Sequence, residues 1–239
     1  MVSREAVESL LGAATQLLGL QVAAGDVIRE QSKVHYGQLL DAHMQVVGAI
    51  GSAVKRRHGE RAEIVGNSQR QIVIIAAFIQ GINIVECSIS EGYYIQAAAL
   101  IRQELEMIAA LEELKKGERV DKKTPNVRHV PWSLATLYGD LSQATHAADH
   151  DVLQSILVPD KSSLPVDTTG VIMVQQFKDQ LSWRLYGVHV ALLIQLAVHL
   201  NDHHETVHGE GGGFDQIELQ AVKNAQELMI DGGWLIAQP

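Results

Sequence analysis

One cysteine, Cys87, stands in 239 residues, so no disulfide can form within the chain and no thiolate-rich metal cage can be built from it. A reducing cytoplasm is the expected compartment. Proline is absent from the first 124 residues; the five prolines lie at 125, 131, 159, 165 and 239. Without a strong helix breaker, that half is expected to hold long helices. Positive charge is also short, 19 Lys and Arg against 28 Asp and Glu for a net −9, which excludes a broad phosphate-neutralising surface. No alternating segment exceeds four residues, no internal repeat is present, and neither a Gly-x-Ser-x-Gly element nor a dinucleotide fingerprint occurs. The Gly209–Gly213 run follows no strand and precedes no Gly-Lys-Ser/Thr, so it is not a phosphate cradle.

What is present is 46% apolar residues in helical patterns, enough for one large core. Val7, Leu10, Leu11, Ala14, Leu17 and Leu18 predict a first amphipathic helix ending near Ala24-Gly25. Asp26 would cap a second, running to Lys55-Arg56-Arg57-His58 and stopped by Gly59. A third helix, from Asn67 or Ser68 to about Ser90, is apolar on nearly every side and is expected at the centre. Tyr93–Lys116 reads as a fourth with Gly117 as its cap, and Pro131 opens a fifth to about Leu157. A long sixth spans roughly 169–207, and a last amphipathic helix covers 214–231. The expectation is an all-α, up-and-down bundle of six or seven helices over residues 1–208, followed by a flexible glycine joint and C-terminal helix over 209–239. Charges and polar residues interrupt 6–24, and the apolar run Ile72–Val85 falls short of the ~20 residues of a membrane span, so no membrane anchor is expected.

Three histidine pairs at i,i+4 spacing stand out: His146/His150, His199/His203 and His204/His208. That spacing stacks two imidazoles on one helix face, the arrangement that holds zinc or iron when carboxylates complete the site. The ridge Leu181, Leu185, Val188, Leu192, Leu196 continues onto His199 and His203, placing that pair toward the core. A metal-dependent bundle enzyme would therefore use His199 and His203 with His146, His150 or a core Glu to activate water. The competing reading makes the histidines rim residues and the chain a structural interaction module with no cofactor.

The fourth helix carries polar residues inside an apolar frame. Glu104 lies on the ridge Ala97, Leu100, Met107, Leu111, where a carboxylate needs a partner from another helix. Arg102 and Glu106 sit at ion-pair spacing on the neighbouring ridge. The segment Gly92-Tyr93-Tyr94, then Ala97 through Glu106, followed by Leu137-Tyr138-Gly139-Asp140-Leu141-Ser142 and His146, resembles an uncharacterised all-helical bacterial family near the HEPN-like bundles. The resemblance covers about 55 residues. It implies one internal cluster of Arg102, Glu106, Ser142 and His146, a homodimer, and action through an RNA or protein partner in a stress or defence system. HEPN-like ribonucleases carry Arg-x4-6-His; Arg184/His189 and Arg29/His35 match that spacing, although Leu185 stands where a polar residue normally follows the Arg. Lys115, Lys116, Arg119, Lys122, Lys123 and Arg128 make the loop after the fourth helix locally basic, with only Trp132 beside it for stacking.

Overall fold

A computed structural model of the chain describes residues 3–60, 64, 66–145, 150–157 and 173–235. Its α-helices are α1 (Arg4–Tyr36), α2 (Gln38–Arg56), α3 (Asn67–Ser90), α4 (Tyr94–Lys116), α5 (Leu137–Thr145), α6 (His150–Leu157), α7 (Asp179–His208) and α8 (Gln216–Asp231). The fold is all-α, and no strand occurs among the described residues.

The centre is α7, not α3. Tyr186, Val190, Leu192, Leu193, Ile194 and Leu196 are buried on every side of α7, which packs against α1, α2, α3, α4 and α8. In α3 the stripe Ile75, Phe78, Ile82, Val85, Ile89 and the terminal Ser90 are buried, while Val73 and Ile84 are exposed. Continuous apolarity could not say which of the two helices the others would surround, because both lack a polar face. By length and composition α1, α3 and α7 are each sufficient to cross a membrane.

The first break also differs from the expected one. The helix runs through Ala24-Gly25 and stops at Gly37, where φ is +50°. Gly25 is buried inside the continuous helix, where a Cβ would meet Glu91 at an ordinary contact distance of 3.4 Å, so it is not a stop. Further along, α4 ends as expected on Lys115-Lys116 and the left-handed Gly117. Pro131 does not start a helix: Trp132 and Ser133 take positive φ, and short 3₁₀ turns at Val127–His129 and Leu134–Thr136 precede α5. Residues 146–149 lie outside the described residues, so the single helix expected to Leu157 is represented by α5 and α6. The long helix begins at Asp179, ten residues later than its pattern suggested.

The end of the glycine segment forms a packed corner. Arg56 Nη2 donates to Gly213 O at 3.0 Å and Arg57 Nη2 to Gly212 O at 2.6 Å, while Asn201 Oδ1 accepts from Phe214 N at 2.7 Å. A Cβ on Gly213 would stand 2.5 Å from Asn201 Oδ1, so glycine here permits close approach. Asp215 and Glu218 then form a complete capping box, and α8 lies along α2.

Candidate functional site

Two polar constellations gather along α7, one sealed in the core and one opening at its C-terminal end. In the core, Glu104 of α4 meets His189 of α7, Oε2 to Nδ1, at 2.9 Å; both residues are buried. The partner that a core carboxylate on this ridge requires is thus an imidazole from a neighbouring helix. Burial pushes the Glu104 carboxyl upward, and His189 partly offsets the shift. His43 of α2 stands with its ring 5.6 Å from His189 and 5.4 Å from Tyr186. Burial, assisted by His189, lowers His43 to about 3, so it is neutral near pH 7. Both His43 nitrogens, Glu104 Oε1, His189 Nε2 and the Tyr186 hydroxyl have no hydrogen-bond partner among the described residues. Tyr36 stacks on Tyr186 at 3.8 Å and shares a 2.7 Å hydrogen bond with Ser182. The sequence signalled Glu104 alone; His43 and Tyr186 sit in apolar patterns on other helices and carry no local mark of this contact.

At the other end, the N-terminal turn of α3 and the C-terminal turns of α4 and α7 enclose a groove of about 560 Å³. Asn67, Ser68 and Gln71 line one wall; Lys115, His199, Asp202 and His203 line the other. The His199/His203 pair is buried, as the ridge through Leu196 anticipates. His199 Nε2 lies 3.2 Å from Glu112 Oε1, an ion-pair distance without hydrogen-bond alignment. Burial lowers both imidazoles, Glu112 opposing the shift at His199. Lys115 donates to Asp202 at 2.7 Å and closes the rim. His204 is buried as well and lowered to about 4, chiefly by burial.

Among the described residues, no three His, Cys, Asp or Glu side chains converge to hold a metal ion. Of the four histidines considered as ligands, His199 and His203 share the groove, His150 begins α6, and His146 lies outside the described residues.

The Arg102–Glu106 pair is partly exposed. Arg102 Nε donates to Glu106 Oε1 at 3.3 Å, and both side chains are about a quarter exposed. The third member is Tyr138, whose hydroxyl donates to Glu106 at 2.6 Å and whose ring lies 5.5 Å from the Arg102 guanidinium. Its phenol is raised chiefly by that carboxylate. Ser142 follows one turn later on α5, and His146 lies outside the described residues. The i,i+4 spacing of Tyr138 and Ser142 was the available signal for the tyrosine.

Neither Arg-x4-6-His match presents both side chains freely. Arg184 is exposed whereas His189 is sealed against Glu104. Arg29 is engaged by Glu91 at 2.7 Å and Glu86 at 3.4 Å, and His35 packs edge-on against Phe177. In the basic loop, Lys115, Lys116 and Arg119 are paired with Asp202, Glu112 and Glu113, and Asp121 faces Arg70. No protein-family model, curated protein or solved structure matches the chain.

Proposed function

We propose that this chain is a HEPN-like helical module of a stress or defence system that works by binding a protein partner. One observation carries the reading: the N-terminal half of α1 leaves the bundle as an isolated helix, exposed at every residue from Arg4 to Leu20, with Leu10, Leu11 and Leu18 more than 60% exposed. Water-facing leucines on an isolated helix are costly unless something covers them. The net charge of −9 and the internal pairing of the basic loop favour protein over RNA as that partner. The polar groups in the core favour a structural task over catalysis, because His189 and Glu104 have no opening to solvent.

Beginning the chain at Ala23 tests this. The shortened protein should keep the unfolding midpoint of the full chain but sediment as a single chain where the full chain, purified or in extract of its own cells, sediments in an assembly. Single-chain behaviour of both lengths in both settings would overturn the reading. RNA cleavage by the full chain that is lost in His189→Ala would put a nuclease in its place.

A further inference from the structure

Along α1 the residues Val7, Leu11, Ala14, Leu18, Gln21, Gly25, Ile28 and Ser32 recur in strict alternation of four and three, the seam of a coiled coil. The last three of these positions are buried against the bundle, whereas Val7, Leu11, Ala14 and Leu18, on the same line, are exposed. One continuous seam is therefore half filled by this chain and half open. The far side of the helix, Glu5, Ser9, Gly12 and Gln16, is polar or small as far as Leu20. A helix with two such unlike faces suits an occupant on one side rather than hydrocarbon on all sides.

Resting on the partner reading above, we infer that the open half of the seam is filled by α1 of a second copy of this chain, giving a two-fold dimer. Three observations select that occupant. A heptad seam accepts a helix carrying the same repeat, and none of the other described helices lies along it. A second copy brings the identical stripe, so the contact is self-complementary and closes at two chains. Val7, Leu10, Leu11, Leu17 and Leu18, on and beside the seam and each 45–68% exposed, offer on the order of 500 Å² per copy, so a pair of such faces reaches the roughly 1,000 Å² expected of a specific interface. Gln21, the one polar residue at the mouth of the open seam, would fix its register.

Analytical ultracentrifugation of the full chain should give the two-chain mass, and L11K/L18K should give the one-chain mass without moving the unfolding midpoint. In a C87S background, which removes the only native thiol, A14C should form a disulfide-linked dimer on mild oxidation and Q16C, on the far side of the helix, should not. Equal cross-linking at both positions, or a two-chain mass that survives L11K/L18K, overturns the seam. A one-chain mass for the full protein overturns the second copy. In that case persistence of the full chain in a larger species in cell extract leaves the partner reading standing with a different protein on α1. Flotation of the one-chain form with phosphatidylcholine vesicles, lost in L11K/L18K, assigns the stripe to a bilayer and overturns both.

Discussion

At the scale of single residues, what matters is which charged groups have lost water and what replaced it. Glu104 and His189 have replaced water with each other and nothing else. Removing the carboxylate in Glu104→Ala leaves a buried imidazole unpaired and should cost about 3 kcal/mol, whereas Glu104→Gln keeps a hydrogen-bonding atom and should cost less than half of that. Urea unfolding distinguishes the two, and equal losses would show that the carboxylate itself, and neither packing volume nor a substitute hydrogen-bonding atom, is the whole effect. Arg102→Ala is a milder case. With both Arg102 and Glu106 partly in water and Tyr138 still donating to the carboxylate, the loss should be about 1 kcal/mol, as read from the same unfolding curves. The spacing of Arg102 and Glu106 made their pairing legible in the sequence. Their exposure was not legible, since it depends on how α5 lies across α4.

At the scale of elements, the basic end of α2 does more than suit a helix terminus. Arg56 reaches Glu218, which is 2% exposed, at 2.5 Å, and with Arg57 it holds the glycine corner that turns the chain into α8. Arg56→Ala would leave the buried Glu218 carboxylate with the Asp215 N–H as its remaining donor, and is expected to cost about 2 kcal/mol and to loosen α8 first. Hydrogen exchange should show the amides of Ala221 to Met229 losing protection before those of α4, and simultaneous loss would mean that α8 is no separate unit. Lys-Arg-Arg-His before a glycine announced a helix end, which is what α2 has. The partner lies 155 residues or more along the chain, beyond the reach of any local pattern.

At the scale of the whole molecule, four histidines are buried in neutral form. His43 is lowered from 6.5 to about 3 and His204 to about 4, with His199 and His203 moved the same way, all chiefly by burial. The unfolded chain therefore takes up protons near pH 6.5 that the folded chain refuses until the pH is lower, about 4 at His204 and about 3 at His43. Stability is full above about 6.5 and falls as pH drops toward 4, by roughly 1.4 kcal/mol per unit for each histidine inside its window. Glu104, raised by burial, acts in the opposite sense: the folded chain keeps a proton that the unfolded chain loses above 4.5, which takes away stability as pH rises through that window. Thermal midpoints should fall between pH 7 and pH 5 in the native protein and fall less steeply in His43→Phe. Parallel curves would place the acid sensitivity elsewhere.

The all-α class, the spans of α3 and α4, the left-handed glycine after α4 and the need for a partner at Glu104 follow from the sequence alone, because each depends on residues within a few turns of one another. Periodicity, caps and the cost of a bare carboxylate are local physics. Which apolar helix becomes the centre, where the first helix breaks, and that His189, His43 and Tyr186 meet Glu104 were decided by the tertiary structure. Each of these rests on competition between surfaces far apart in the chain: α7 and α3 read alike until one is surrounded, Gly25 looks like a stop until Glu91 packs on it, and an imidazole in an apolar run looks ordinary until three helices close around it.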